Sequence, residues 1–251
     1  MEKQQSAGKP FRSDWRMVVI TPVKDSIVSA LETAKAIVAS SIRIPCTYIV
    51  YNDFSTAENT RRLEEAAAAC GFTLINLSEH TNHPSPNYLW ILQDAQQKAL
   101  DGEAALCIVE SDVVVQPDTL QSLFDGALGR PDCGIAAAVT VDGHGEINYP
   151  YLYARKKPGC VFSVRKHVSF CCSLLTHAFL RKYDFIQLNP ARSWHDVVIS
   201  RRSLALGFRN YLFTTLPVVH KPHGSRPWKQ LKYTNPLRYY WRKFVCGRDR
   251  I

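Results

Sequence analysis

The sequence predicts an α/β protein with a mostly parallel central sheet and helices on both faces. Predicted strands and helices alternate from residue 16 to residue 141. The strands are continuous apolar runs, which is typical of parallel strands that are covered on both faces. With 251 residues, of which 46% are hydrophobic, the chain is long enough for one large core or two small ones.

Local patterns define the elements of this alternating part. Apolar runs predict strands at residues 16–23, 46–53, 72–77, 104–110 and 134–141. Helical spacing of apolar residues predicts helices at residues 25–42, 55–70, 87–100 and 117–128. Asp25 or Ser26 would cap the first helix, and Ser55 with Glu58 would form a capping box for the second, which Gly71 would end.

The remainder of the chain is less regular. Residues 143–159 form a polar loop, and residues 160–176 predict two strands or a hairpin. A short helix at 177–183 and a longer one at 196–207, ended by Gly207, precede a last strand that runs into His220 and His223. The sequence shows no internal repeat.

The net charge of +9 is concentrated near the C-terminus. Nine of the 31 Lys and Arg residues, but only one of the 22 acidic residues, lie in residues 221–251. A nearly neutral body with a basic end argues against a domain that binds nucleic acid over its whole surface, and favours a local electrostatic contact.

The cysteines and the first residues of the chain indicate the cellular compartment in which the protein is expected. The eight cysteines include no C-x-x-C pair, so buried, reduced thiols are expected. Residues 1–15 are polar, and we expect a flexible tail without the apolar core of a signal peptide. No apolar stretch reaches the roughly 20 residues that span a bilayer. A cytoplasmic protein is expected.

Carboxylates follow two of the predicted strands. Asp53 ends the second strand, and Glu110 and Asp112 follow the fourth with Ser111 between them. Ligands of parallel sheets bind at the carboxyl ends of the strands, so these acids are expected at one site. In an extended chain, Glu110 and Asp112 point the same way, roughly 7 Å apart. They could hold a divalent cation such as Mn²⁺ or Mg²⁺, which takes carboxylate and phosphate oxygens, or be a solvated acidic loop.

Four stretches between residues 16 and 225 resemble glycosyltransferases of family 2, which have the GT-A fold and transfer sugars from nucleotide sugars with inversion. They are "VVITPVKDS", "IVYNDFSTAENT", "VESDVVVQPDTL" and "WHDVVISRRSLALGFRNYLFTTLPVVHKPH". The last is the most specific, because charged, small and apolar positions agree over its length. It departs from the family pattern at His195, where a Glu is usual, as Glu110 departs from the first Asp of the D-x-D metal motif.

The resemblance implies a role for each matched residue. Asp196 matches the catalytic base, Asp53 the residue that contacts the base of the nucleotide, and Asp112 the metal ligand. His220 matches the terminal histidine, which approaches the metal or the phosphates, although His223 is a rival. The remaining candidates are nucleotide-contacting Pro22, Glu110 and Ser111, together with Trp194 and His195 beside the catalytic base.

Structural alternatives accompany these roles. Asp53 could simply cap the helix that begins near Ser55, and Asp196 could be only the N-cap of its own helix. Glu110 could bind the metal directly, through water, or bind the ribose. Trp194 could stack on a sugar or merely pack.

The expected organisation is a tail at residues 1–15, a GT-A-like catalytic domain at 16–225 and a basic, aromatic extension at 226–251. The nucleotide-binding half would cover about 16–142 and the acceptor half about 143–225. The extension suits an anionic membrane surface, although it could also bind RNA or pack on the domain. A peripheral position at the inner face of the membrane follows from the first of these readings.

The expected function is metal-dependent, inverting glycosyl transfer from a nucleoside-diphosphate sugar, with a UDP-sugar as the expected donor. The acceptor would be a hydroxyl of a glycan or of a lipid-linked sugar, in the assembly of a surface polysaccharide or glycolipid, and nucleic acid is not an expected partner. A nucleotidyltransferase acting on sugar phosphates is the first alternative, but "TPVKDS" lacks the glycine-rich loop typical of such enzymes. A membrane or nucleic-acid adaptor that acts through the basic tail is the second.

Overall fold

The computed structural model describes residues 16–191, 194–221 and 235–245, except for the side chains of 242–244. The predicted tail at residues 1–15 and the candidate ligand His223 lie outside the described residues.

Nine strands form one sheet in this part of the chain. They are β1 (Arg16–Val23), β2 (Cys46–Asn52), β3 (Thr73–Asn76), β4 (Ala104–Val109), β5 (Val113–Val114), β6 (Cys133–Val141), β7 (Val161–Val164), β8 (Cys172–Leu175) and β9 (Arg209–His220). The α-helices are α1 (Ile27–Val38), α2 (Ala57–Cys70), α3 (Tyr88–Asp101), α4 (Thr119–Leu128), α5 (His177–Leu180), α6 (His195–Ala205) and α7 (Pro236–Val245). Short 3₁₀ turns lie at Leu77–Glu79, Leu152–Lys156 and Phe185–Gln187.

The strand order is β3-β2-β1-β4-β8-β6-β9-β5, and β7 also pairs with β9. The first four strands in this order are parallel, β8 is antiparallel to both of its neighbours, and β9 is parallel to β6. Both β5 and β7 are antiparallel to β9. Six of the nine described strands therefore run in the same direction, and they end at the same edge of the sheet.

Apolar residues cover both faces of the sheet. Along β1, Val18 and Ile20 belong to the core that contains α3, whereas Met17 and Val19 belong to the core that contains α4. Successive side chains of a strand point to opposite faces, so a continuous apolar strand feeds two cores. The predicted α/β fold with helices on both faces is confirmed.

The predicted helix ends are confirmed in part. Ser26 is the N-cap residue of α1, as predicted, but its side chain makes no capping hydrogen bond, and Asp25 Oδ1 instead accepts the Thr56 N–H before α2 at 2.9 Å. The N-cap of α2 is Thr56, whose hydroxyl accepts the Asn59 backbone N–H at 3.3 Å, so the predicted capping box of Ser55 and Glu58 is wrong by one residue. Gly71 ends α2 with a positive φ of 76°, as predicted, because glycine adopts the left-handed conformation without a steric penalty.

Of the two alternatives predicted for residues 160–176, the two strands are confirmed as β7 and β8, whereas the hairpin is wrong. β7 and β8 do not pair with each other: β7 pairs with β9 at the edge of the sheet, and β8 lies between β4 and β6. All four residues of β8 are buried, whereas β7 is mostly half-buried or exposed. The fully buried strands β4 and β6 need a hydrogen-bonding partner on each edge, and β8 supplies one to both.

Cysteines of the described chain are free thiols. Cys107, Cys133, Cys171 and Cys172 are buried as expected, but Cys46 is exposed because it opens β2, whose first two residues face solvent. Among the residues that the structure describes, no helix has both the length and the apolar character needed to cross a bilayer.

Candidate functional site

The candidate site lies at the sheet edge where β2, β4 and β9 end and where antiparallel β8 begins. Asp53 follows β2, Glu110 and Asp112 follow β4, His220 ends β9, and Cys171 precedes β8. Because β1 lies between β2 and β4, the ends of β2 and β4 are separated by two strand spacings, roughly 10 Å. The topology thus separates a part near Asp53 from a part near Glu110.

The two acids after β4 belong to a tight turn. The Val113 N–H donates to the Glu110 carbonyl at 3.1 Å, which closes a turn over residues 110–113. The expectation of an extended chain was therefore wrong. The two carboxylates nevertheless interact. Burial raises the pKa of Glu110, and the negative charge of Asp112 raises it further. Ser111 is buried within the same turn.

His220 faces Asp112 from the neighbouring strand pair. Val113 and His220 are paired between β5 and β9, and the Lys221 N–H donates to the Asp112 carbonyl at 2.9 Å. The His220 Nε2 lies 3.6 Å from Asp112 Oδ2, and both residues are buried. Burial alone lowers the pKa of His220, but its hydrogen bond to Asp112 and the charges of Asp112 and Glu110 outweigh burial and raise it.

A backbone carbonyl fixes the orientation of the His220 ring. Nδ1 lies 3.1 Å from the Tyr149 carbonyl oxygen. Because a carbonyl can only accept, Nδ1 carries a proton, and the Nε2 lone pair of a neutral ring faces Asp112. This is the arrangement of a histidine that binds a metal through Nε2.

Cys171 is a member of the site that the sequence did not predict. Its thiol donates to Glu110 Oε2 at 3.2 Å and lies 3.3 Å from Ser169 Oγ. Burial raises the pKa of this thiol, and the charge of Glu110 raises it further. One ligand atom from each of Glu110, Cys171 and His220 lies within 4.8 Å of the other two. These three residues, with Asp112 beside them, could hold a cation.

Asp196 lies in the first turn of α6, close to this cluster. Its charge contributes to the raised pKa of both Glu110 and Tyr151. Trp194, not Asp196, occupies the N-cap position of α6, but Asp196 Oδ1 accepts the Val197 N–H at 2.9 Å and thereby satisfies one backbone donor of the first turn. A half-buried carboxylate at the positive end of a helix dipole, near Glu110, is a candidate proton acceptor.

The neighbours of Asp196 differ in their surroundings. His195 is buried, its ring centre lies 6.1 Å from that of Tyr88 on α3, and burial lowers its pKa. This places His195 in the packing between α6 and α3. Trp194 is half-buried, and its carbonyl accepts the Val198 N–H at 3.1 Å.

Asp53 is buried and fully engaged at the start of α3. Oδ2 accepts hydrogen bonds from Ser85 Oγ at 2.7 Å and from the Asn87 N–H at 2.9 Å, and Oδ1 accepts from Asn87 Nδ2 at 2.8 Å. The alternative that Asp53 caps the helix near Ser55 is therefore wrong, because it anchors the loop before α3 instead. Pro22 is half-buried on the adjacent strand β1 and pairs with Tyr51.

Solved structures share this fold. A mannosyltransferase of Pyrobaculum calidifontis, PcManGT, in complex with GDP-Man and Mn²⁺, matches 94% of this chain with a TM-score of 0.61 and 15% identity. TarS of S. aureus (residues 1–349) matches 82% of the chain with a TM-score of 0.59 and 14% identity. The same TarS segment in complex with UDP-GlcNAc matches 83% with a TM-score of 0.57 and 15% identity.

This chain spans 66%, 60% and 59% of those three chains respectively. No protein-family model matches the sequence, and no curated protein matches it either. At such low identity, the likeness establishes that the chain has the fold of these glycosyltransferases.

Proposed function

We propose that the protein is a glycosyltransferase of the inverting family 2 type, which moves a sugar from a nucleoside-diphosphate sugar to a hydroxyl of a glycan or a lipid-linked acceptor. The observation that carries this proposal is the convergence of Glu110, Asp112, Asp196 and His220 at the carboxyl edge of the sheet. Structures with the same fold have been solved with GDP-Man and with UDP-GlcNAc. A UDP-sugar is the donor that we expect.

Asp112 and His220 would hold a divalent cation, with Glu110 beside them. The donor set fits one, because the buried carboxylate of Asp112 and the half-buried carboxylate of Glu110 lie beside the Nε2 of an imidazole that the Tyr149 carbonyl orients. A bound Mn²⁺ or Mg²⁺ supplies positive charge against the charge that develops on a diphosphate leaving group. PcManGT was solved with Mn²⁺, which supports this choice of cation.

Asp196 would act as the general base. It would accept the proton of the acceptor hydroxyl while the oxygen of that hydroxyl attacks the anomeric carbon of the donor. A single displacement of this kind inverts the configuration at that carbon. Trp194, which precedes the base by two residues, could contact the acceptor, whereas the buried position of His195 supports a structural role.

The nucleotide would bind on the side of β1 and β2. Pro22 and Ser111 flank that region, and Asp53 holds the loop at residues 85–87 against the sheet edge. In this arrangement, Asp53 would position the loop that borders the nucleotide. If Asp53 also contacted the nucleotide base, it would do so while it accepts its hydrogen bonds from Ser85 and Asn87. His223 remains a candidate phosphate or metal contact.

Helix α7 would bind an anionic membrane surface, which would bring the site to a lipid-linked acceptor. Leu237, Tyr240, Trp241 and Val245 are all exposed, whereas Tyr239 is buried at 5% exposure. At 100° per residue, the four exposed apolar residues share one side of the helix. Arg238 flanks this face, as is typical of interfacial helices. A cytoplasmic, peripheral enzyme of surface polysaccharide or glycolipid assembly follows from this proposal.

Thermal unfolding with nucleotides tests the proposed donor site. The protein is heated with UDP, GDP, CDP, ADP or dTDP, each with and without Mn²⁺. A ligand that binds the native state raises stability by about RT ln(1 + [L]/Kd), roughly 2.7 kcal/mol at 100 times Kd. We expect a Mn²⁺-dependent increase in Tm with one nucleotide, most strongly with UDP.

Two variants test whether this increase in Tm comes from the proposed metal site. Asp112→Asn should abolish the Mn²⁺-dependent increase, whereas Asp118→Asn, the same change at an exposed position six residues further along, should retain it. Absence of any nucleotide-dependent shift, or an equal shift in both variants, would contradict the proposal.

A further inference from the structure

A buried thiol lies inside the acidic cluster of the candidate site. Cys171 Sγ is 3.2 Å from Glu110 Oε2, and the Glu110 N–H donates to the Cys171 carbonyl at 2.9 Å. The antiparallel pairing of β4 with β8 produces both contacts, because Val109 is paired with Cys172 and the next residues therefore face each other. The position of the thiol is thus fixed by the sheet.

We propose that Glu110, Cys171 and His220 form a site for a thiophilic divalent cation of the Zn²⁺ class, with Asp112 next to its remaining position. One oxygen, one sulfur and one nitrogen atom of these residues lie within 4.8 Å of one another. In a tetrahedral zinc site with bonds of 2.0–2.3 Å, ligand atoms are roughly 3.5 Å apart. Small side-chain rotations would therefore complete the site.

Residues around the three ligands hold them in place. The Tyr149 carbonyl accepts from His220 Nδ1 and leaves Nε2 for the cation, and Ser169 Oγ lies 3.3 Å from Cys171 Sγ. Asn148 Nδ2 donates to the His220 carbonyl at 3.1 Å, which fixes the end of β9. Partners of this kind orient metal ligands and adjust their basicity.

The thiol decides which cations fit. Mg²⁺ takes oxygen ligands in octahedral geometry, whereas thiolate and imidazole ligands favour Zn²⁺ and Co²⁺. Binding would release the thiol proton to solvent and place a positive charge among Glu110, Asp112 and the thiolate.

The inference rests on the proposed function only for the use of the cation. Both cations would need His220, so a Zn²⁺-class cation bound with Cys171 would take the place of Mn²⁺ beside the donor diphosphate. The presence of the cation site itself rests on the three side chains and their neighbours. Cation binding and nucleotide binding therefore need separate measurements.

Titration with Co²⁺ under reducing, oxygen-free conditions tests the site. Co²⁺ substitutes for Zn²⁺, and its bond to a thiolate gives a charge-transfer absorption in the near ultraviolet. We expect one Co²⁺ per chain, a charge-transfer band, loss of the band on addition of equimolar Zn²⁺, and no loss on addition of Mg²⁺. Cys171→Ser should remove the band and weaken Co²⁺ binding at least tenfold.

Cys46→Ser is the matched control, because it removes an exposed thiol outside the site and should leave the band unchanged. Circular dichroism without metal verifies that Cys171→Ser is folded. Failure to bind Co²⁺, Co²⁺ binding without the band, or a band that survives in Cys171→Ser would overturn the inference. If UDP still raises Tm with Mn²⁺ in that case, the proposed function stands without the thiol. A band without any nucleotide effect would support the site and reject the function.

Discussion

Asp196 is the residue on which the proposed chemistry depends most directly. It lies at the beginning of α6, and its charge acts on both Glu110 and Tyr151. In the proposed mechanism Asp196 accepts a proton and does not bind the metal. A substitution at Asp196 can therefore show whether the residue contributes to nucleotide binding or to sugar transfer.

The variant Asp196→Asn should lose transfer while it retains nucleotide binding. An amide cannot accept the proton of the acceptor hydroxyl, and general-base catalysis contributes about 10²–10⁴-fold. We expect the transfer rate to fall at least 100-fold while the nucleotide-dependent increase in Tm is unchanged. Sugar transfer is measured with the donor identified by thermal unfolding.

Asp118→Asn serves again as the control with normal transfer. Equal losses of transfer and of nucleotide binding in Asp196→Asn would remove Asp196 from the role of base and assign it to the binding site.

Single residues of the site differ in how far the sequence predicted them. Asp112 and His220 were predicted together, and the structure brings them to 3.6 Å, because β4 and β9 end at the same edge of the sheet. Cys171 was not predicted as part of the site, since its position follows from the pairing of β8 with β4, which local sequence does not encode. Similarly, Asp53 was expected at this edge, but its partners in the loop at residues 85–87 depend on tertiary contact.

At the scale of elements, the contact between β6 and α6 positions the proposed base. A Cβ atom at Gly134 in β6 would lie 2.2 Å from Ser203 Oγ on α6 and 2.8 Å from Phe208 Cβ, directly after that helix. The two elements therefore approach so closely that only glycine fits between them. Asp196 lies on the same helix, so the distance between β6 and α6 also sets its position.

Gly134→Ala should therefore destabilise the protein. The new methyl group would push against Phe208 Cβ, which is joined to the backbone and cannot move alone, and overpacking of this kind costs about 1–3 kcal/mol. The free energy of unfolding is measured by urea denaturation. Gly143→Ala is the control, because a Cβ there meets no atom within 4 Å. Equal stability of the two variants would show that α6 can shift away from β6 without loss.

Elements of the alternating part were predicted to within a few residues, because their hydrophobic periods and caps are local signals. Local signals did not suffice to predict the position of β8 in the sheet. Its four buried residues could pair with β7 as a hairpin or enter the sheet between β4 and β6, and the choice depends on which buried strand edges are open. The short strand β5 was missed for a related reason, since its two residues form a strand only through their pairing with β9.

At the scale of the whole molecule, charge and exposed apolar surface occur together near the C-terminus. The body of the chain is nearly neutral, whereas residues 221–251 carry nine basic residues and one acid. Helix α7 adds Leu237 at 86% exposure and Trp241 at 64%, one turn apart. The basic residues would attract anionic lipids over about a Debye length, and the apolar side chains would then enter the interface.

The double variant Leu237→Glu/Trp241→Glu should release the protein from anionic vesicles. Each large apolar side chain contributes about 1.5–3 kcal/mol when it is buried, and the added carboxylates are repelled by the lipid charge. We therefore expect the affinity for vesicles of mixed phosphatidylglycerol and phosphatidylcholine to fall at least tenfold in a sedimentation assay. The wild-type protein should also bind less at high salt and to phosphatidylcholine alone.

Ile186→Glu is the matched control for this experiment, because Ile186 is an equally exposed apolar residue at 74% exposure in a different part of the fold. Its vesicle binding should equal that of the wild type, which would show that exposed apolar surface alone does not suffice. Vesicle binding that persists in the double variant would exclude α7 as the membrane contact. Transfer to a water-soluble acceptor should be unaffected by the double variant, since α7 would bring the enzyme to a lipid-linked acceptor without taking part in the chemistry.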